Sequence, residues 1–257
     1  ASSTNPRFSA RYALSDHWAV RGAVYKAFRA PTLDNLYRGY AIPGGVFLPT
    51  ADLKPERMQG GEAGVDFDDG HVRVQVTASR HTIRDLITYR NLADDELPPG
   101  FFFGTRNINA GKARTNGIEG EIEIPIARDW KVQASYAYNN PKILDNPADP
   151  STAGNIEGNI PRDTASAQLF YSNGPFAAST RVRYVRGYYT DNAGTLPIDS
   201  YTVVDLSASY AVTPAFKLFA QIENLFDRSY IAQNSGNATP SLGAPFGVFA
   251  GVRVALQ

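Results

Sequence analysis

The sequence predicts an all-β fold, an antiparallel up-and-down meander of about eleven strands forming part of a transmembrane β-barrel. Three observations predict it. Apolar residues recur with period 2 along most of the chain, connections alternate between tight turns and long loops, and aromatic residues gather at segment ends. Successive side chains of a strand point to opposite faces, so period-2 alternation gives one apolar and one polar face. A tilted membrane-crossing strand needs about 9–11 residues, with lipid on its apolar face and a polar lumen behind it.

The segments lie near residues 6–14, 18–28, 57–68, 71–90, 106–126, 130–139, 162–171, 175–188, 199–211, 215–226 and 245–256. In 71–90, Val72, Val74, Val76 and Ala78 alternate with His71, Arg73, Gln75, Thr77 and Ser79. In 106–126, Ile118, Ile122, Ile124 and Ile126 alternate with Glu119, Glu121 and Glu123. Val204, Leu206, Ala208 and Tyr210 share one parity of 199–211, and Phe216, Leu218, Ala220 and Ile222 one parity of 215–226. Tight connections carry turn formers: Ser15-Asp16-His17, Asp68-Asp69-Gly70, Ala127-Arg128-Asp129, Ser172-Asn173-Gly174 and Ala211-Val212-Thr213-Pro214. Between them run long connections, about 29–56, 91–105, 140–161, 189–198 and 227–244, rich in Gly, Pro, Asn and aromatics. Tight turns therefore share one end of the sheet, the periplasmic end of a barrel, and long loops the other. Trp18, Trp130 and Phe216 each follow a tight turn on the apolar parity, where an aromatic girdle belongs. A soluble sandwich or propeller also alternates. Irregular turn spacing, strands of about 10 residues and the lack of a repeating motif weigh against a propeller.

Composition narrows the function classes. The chain has 257 residues, 25 Lys+Arg against 25 Asp+Glu, and no Cys. Zero net charge without a basic run argues against nucleic acid. Without Cys there is no disulfide framework, thiolate catalyst or Cys-based zinc site. Apolar runs fall far short of the roughly 20 residues of a membrane-spanning helix. No basic, apolar leader precedes Ala1, so the start reads as mature or cut.

Five local motifs carry a resemblance. Phe28-Arg29-Ala30-Pro31-Thr32-Leu33-Asp34-Asn35-Leu36-Tyr37 closes the second segment, and Leu53-Lys54-Pro55-Glu56 with Glu62-Ala63-Gly64-Val65 opens the third. Ile83-Arg84-Asp85-Leu86-Ile87 lies high on the fourth, and Asn109 to Ala113 with Gly117-Ile118-Glu119 on the fifth. Asn224-Leu225-Phe226-Asp227-Arg228-Ser229-Tyr230 follows the tenth. In this order they resemble the boxes of the C-terminal barrel half of TonB-dependent outer-membrane receptors. Each also has a physical reading. Pro31 donates no hydrogen bond and releases the chain from the sheet. Gly64 and Gly117 admit a bend or close approach. Asn224 and Asp227 cap a turn while Leu225 and Phe226 pack. These boxes are expected to define strand ends and not to touch ligand.

The resemblance implies that residues 1–257 are the C-terminal half of a 22-stranded, plugged barrel. It implies an N-terminal half and plug, contact with TonB through the plug segment, outer-membrane lipid around the wall, and import of a ferric siderophore. Haem, cobalamin or a glycan are the alternatives, as is a soluble all-β binding protein. Residues 32–52 contain no His, which lowers haem. An open half-sheet in lipid leaves two unpaired edges, so the chain is expected to need its missing half or another copy. The last segment keeps Phe246, Val248, Ala250, Val252, Val254 and Leu256 on the apolar parity. The family ends on an aromatic of that parity, so one aromatic residue is expected to follow Gln257.

Ligand-binding candidates are loop aromatics and arginines, which stack and make charge-assisted hydrogen bonds. They are Arg29, Tyr37, Arg38, Tyr40, Phe101, Phe102, Phe103, Arg106, Tyr188 and Tyr189. The Gly-flanked run Phe101–Phe103 stands out, since exposed aromatics mark binding surfaces. Glu119, Glu121 and Glu123 read as a lumen-facing acidic row, and Arg181 and Arg183 as a basic pair on another lumen face, both better explained by a solvated, salt-bridged wall than by catalysis. No Ser/His/acid set suggests an enzyme, and no cofactor is expected. His71 and His81 lie too far apart to chelate one ion, and Asp145, Asp149 and Asp191 lack the spacing of a calcium loop.

Overall fold

The computed structural model describes residues 4–109, 111–234 and 239–255. Eleven strands form one sheet, hydrogen-bonded in chain order. They are β1 (Arg7–Ala13), β2 (Trp18–Arg29), β3 (Glu56–Asp68), β4 (Arg73–Arg84), β5 (Lys112–Ala127) and β6 (Trp130–Asp145). β7 (Asp163–Asn173), β8 (Phe176–Val185), β9 (Tyr201–Thr213), β10 (Phe216–Glu223) and β11 (Gly247–Val254) complete it. Every pairing is antiparallel, as expected for a meander. β1 and β11 are the free edges, so the barrel is not closed within this chain. Leu256 and Gln257, on which the expected aromatic terminus bears, lie outside the described residues.

The two faces separate as the period-2 pattern requires. The inner parity is held by polar links: Arg21 Nε to Asp66 Oδ1 at 2.9 Å, Arg21 Nη2 to Thr77 Oγ1 at 2.5 Å, and Arg183 to Asp205 at 3.1 Å. Glu123 of the predicted acidic row takes Lys131 Nζ at 3.3 Å and Gln133 Nε2 at 2.5 Å. The outer parity exposes Val24, Val65, Val76, Ile118, Leu218 and Val248. An apolar face of this extent belongs against lipid. Near the tight turns, Trp18 meets Phe67 at 4.8 Å, and Trp130, Tyr171 and Phe176 make contacts of 4.7 and 5.9 Å. These are the girdle positions the sequence marks. The second tight turn shows how such turns close. Gly70 adopts φ 80°, while Asp68 and Asp69 accept the backbone N–H groups of Gly70, His71 and Val72.

The long-loop end departs from expectation. The segment expected to run through 71–90 breaks at Asp85, which takes φ 57°, and Ile87–Asn91 joins a different sheet. The 106–126 segment likewise divides, with Phe103–Asn109 in that second sheet and β5 beginning at Lys112. β6 outruns its expected end at 139. Beyond Tyr138 it continues as a ribbon beside β5, and loop residues 154–157 bond its free edge through Gly154, Asn155 and Glu157. Asn224 caps its turn as anticipated. It is 2% exposed at φ 49°, and its amide bonds Arg228 N and O and Ala244 O. Phe226 does not pack, contrary to expectation, but stands 75% exposed beside it.

Candidate functional site

Loops 30–55 and 86–109, which the sequence shows only as turn-rich, fold together. Pro31 ends β2, and Thr32 then caps the short helix α1 (Leu33–Tyr37), accepting Asn35 N at 3.1 Å while Asn35 Oδ1 accepts Thr32 N at 3.1 Å. Behind it lies a four-stranded sheet ordered Tyr40–Ile42, Gly45–Leu48, Phe103–Asn109, Ile87–Asn91. Its central pair is parallel, with Gly45 opposite Phe103 and Leu48 opposite Arg106. One strand of that pair comes from each loop, so neither loop completes the sheet alone.

Two latches fix this layer to the barrel rim, and a third, between Thr50 and Asn107, ties its two loops together. Glu56, 5% exposed at the start of β3, accepts Arg29 Nε and Nη2, each at 2.5 Å, and Ile87 N at 2.9 Å. One carboxylate thereby joins the end of β2, the start of β3 and the second loop. Asn109 accepts Lys54 N at 2.6 Å and donates to Lys54 O and Asp85 O at 2.8 and 2.9 Å. Thr50 Oγ1 donates to Asn107 O at 2.6 Å.

Alternation along these strands puts Tyr40, Ile42, Phe47, Tyr89, Phe103, Thr105 and Asn107 on one face. Tyr40 and Phe47 stack at 4.4 Å and 11°. Phe103 lies so close over Gly45 that a Cβ there would sit 2.3 Å from its ring. Tyr40, Ile42, Tyr89 and Phe103 remain exposed, and Phe102 is 84% exposed beside them. Between α1 and this face lies a cavity of about 310 Å³, lined by Asp34, Asn35, Arg38, Tyr40, Phe47, Leu48, Tyr89, Thr105 and Asn107. Arg38 and Asp34 pair at 3.7 Å with both side chains mostly in water. Such a pair holds weakly, leaving the guanidinium able to take an acidic ligand.

The predicted site residues sort accordingly. Arg38, Tyr40, Phe102 and Phe103 gather around this face, whereas Tyr37 ends α1 exposed and Phe101, half-buried, bonds back to Pro98 O. Arg106 alternates to the opposite face, where its charge and the bidentate Arg90, at 2.5 Å on each oxygen, act on Glu96. The hydrogen bonds from Arg90 and from Ala93 N hold the Glu96 carboxyl at about 2, well below the usual range. Arg29 is engaged by Glu56. Tyr188 and Tyr189 stand in another loop, in a short ladder with Ile198 and Pro197. Phe47, Tyr89 and Asn107 are absent from the sequence-derived set. Their signal is the alternation within the short strands Gly45–Leu48, Ile87–Asn91 and Phe103–Asn109.

The open sheet, its apolar outer face, its short-turned end and its folded loop layer define part of the wall of a transmembrane β-barrel. Residues 1–225 match the family model of the TonB dependent receptor-like β-barrel, and the chain belongs to that family. It is 29% identical over 232 residues to the vitamin B12 transporter BtuB of Vibrio vulnificus, covering 87% of this chain and 33% of that protein. The Escherichia coli ferrichrome outer membrane transporter/phage receptor is 28% identical over 198 residues, covering 74% of this chain and 24% of that protein. Among solved structures, the copper transporter OprC superposes with a TM-score of 0.76 at 20% identity, covering 97% of this chain and 39% of that one. The chain thus spans about a quarter to a third of these curated relatives. It is an outer-membrane protein of a transporter and receptor family, not an enzyme.

Proposed function

We propose that residues 1–257 form the C-terminal part of the barrel of a TonB-dependent outer-membrane transporter that binds and imports a scarce nutrient complex, a ferric siderophore before cobalamin, haem or a glycan. The observation that carries the reading is the exposed aromatic face made jointly by two loops, with Arg38 at its cavity. Planar or chelated ligands stack on such aromatics, and an acidic chelate gains a charge-assisted bond from the guanidinium. The open inner face would receive a plug and the free edges an N-terminal barrel half, with TonB acting through the plug. Ferrichrome and vitamin B12, named for two relatives, are the natural first probes.

The experiment is complementation. A strain lacking its own receptors, expressing the intact transporter, is grown on limiting iron with ferrichrome or ferrioxamine B, or on limiting cobalamin. Growth on a ferric siderophore that is lost in Tyr40→Ala/Arg38→Gln, at equal surface level, supports the reading. Uptake of cobalamin alone, or siderophore uptake indifferent to these residues, overturns it.

A further inference from the structure

Among the described residues, the inner face of the wall is charged on every strand but one. β1 to β6 carry inner-parity charges such as Arg11, Arg21, Asp66, Arg73, Glu121 and Lys131. β8 to β11 carry Arg181, Asp205, Lys217 and Arg253. β7 has none. Its inner positions are Thr164, Ser166, Gln168, Phe170 and Ser172, while its one charged residue, Asp163, takes the outer parity beside Tyr138. The positions across the ladder are small as well. Ala137 and Ser135 on β6 lie opposite Thr164 and Ser166, and Ser179 and Ala177 on β8 lie opposite Phe170 and Ser172. On β9, Ser207 and Ser209 continue the two β8 positions.

These polar groups bond one another. Ser135 and Ser166 share a hydrogen bond of 3.0 Å, Gln168 Nε2 donates to Ser179 Oγ at 3.1 Å, and Ser179 and Ser207 share one of 2.8 Å. The string descends obliquely, from β6–β7 toward the loops to β8–β9 toward the tight turns. Thr164 to Ser172 is roughly 27 Å along the strand, so the string runs through most of the embedded wall. At its lower end the inner surface recedes into a concavity of about 830 Å³ over Ala177, Ser179, Ser207 and Ser209, flanked by Phe170 and Phe219. β7 and β10, which bear the two rings, lie three strand spacings apart, roughly 14 Å.

We propose that this uncharged lane is the passage by which a compact hydrophilic chelate crosses the lumen. The inference rests on the import reading given above and adds a route to it. Two physical features select this strip. Small side chains set the wall back, so whatever fills the lumen meets it least closely there. The lane's polar groups are satisfied by each other, so they line the route with hydrogen-bonding atoms without trapping a ligand by charge. Passage depends on the width of a route and on the polar groups along it. The acidic row is the opposite kind of surface. Glu119 and Glu121 have no ion-pair partner among the described residues and would grip a cationic group lying against them. A lumen filler held on that side leaves its slack over β7.

The chain has no Cys, so a thiol placed in this wall is a unique handle within it. Ser166→Cys and Ser179→Cys are made in the intact transporter in cells, with Gln75→Cys as the control. Gln75 shares the inner row of Ser166 but lies on charged β4. The probes are radiolabelled ferric ferrichrome, ferric ferrioxamine B and cobalamin, each read for surface binding and for uptake. Serine to cysteine is nearly isosteric, so all three variants are expected to bind and import as the wild type does. A bulky thiol reagent, coupled as a disulfide during import, should lower uptake on the order of tenfold in Ser166→Cys and Ser179→Cys while binding stays unchanged. A reductant should restore uptake, and labelled Gln75→Cys should import normally. Thiols at 166 and 179 that never react, or that react without slowing uptake, would overturn the lane and leave the import reading standing. Equal block in Gln75→Cys would overturn it too, by giving the effect to obstruction of the lumen at large. A wild type that imports none of the three probes would overturn the import reading itself, and the lane with it.

Discussion

Replacing Arg29 by Ala should loosen the loop layer even when no ligand is present. Arg29 closes a two-pronged contact with Glu56, whose carboxylate is buried and keeps only the Ile87 N–H once the guanidinium is gone. Removing one partner of a buried pair costs about 3–5 kcal/mol, because a charge stays behind without compensation. Here the guanidinium side chain is 64% exposed and water can replace part of it, so about 2–3 kcal/mol is expected, borne by the loop layer. Local opening should rise roughly 30- to 150-fold. Hydrogen exchange of the intact transporter in detergent reads this out at residues 87–91 and 103–109. Glu56→Gln should cost less, since its amide oxygen still accepts Ile87 N and the freed arginine faces solvent. The double variant Arg29→Ala/Glu56→Gln should recover part of the loss of Arg29→Ala. Unchanged exchange in Arg29→Ala, combined with weakened ligand uptake, would show that the arginine serves ligand and not the latch.

On the outer face, Val76→Arg should cost about 2–4 kcal/mol and shift the heat-modifiable gel transition downward, whereas Gln75→Arg on the inner face should be tolerated. Gly45→Ala pushes a methyl into the Phe103 ring, so chymotrypsin should cut at Phe101–Phe103 faster in that variant than in the wild type. Glu96 has a folded pKa of about 2 against an ordinary 4.5, so its contribution to the loop is full above about pH 4.5 and fades as pH falls toward 2. Pepsin cleavage around Leu97–Phe103 should accelerate across that window, and Arg90→Ala should weaken the pH dependence, leaving only the part set by Ala93 N.

The barrel wall was legible because lipid and lumen impose a strict two-residue period, visible in Val72–Ala78 or Phe216–Ile222 without any long-range knowledge. The girdle followed from the same parity, since Trp18 and Trp130 sit directly after their turns. The loop layer was not legible. Its central pairing joins Gly45–Leu48 to Phe103–Arg106, more than fifty residues apart, and four-residue strands leave too little periodicity to register. The break at Asp85 was hidden for a different reason: a single Asp on the inner, polar parity is unremarkable in the sequence, and only a left-handed backbone, bonded through Asn109, ends the strand. Arg29 shows the limit at the site itself. An arginine at a strand top reads as a ligand group until the register brings Glu56 opposite it.

The parallel pairing of the two loops has a consequence for how receptors of this kind can be recombined. A chimaera that exchanges residues 30–55 alone severs the Gly45–Leu48 ladder from its partner and strands Phe103 over a foreign backbone. The smallest unit that can be transplanted between scaffolds is both loops together, with Glu56 and Asn109 carried along. Length changes accepted by one loop then demand a compensating change in the other, so the pair should diverge in concert while the strands between them drift independently.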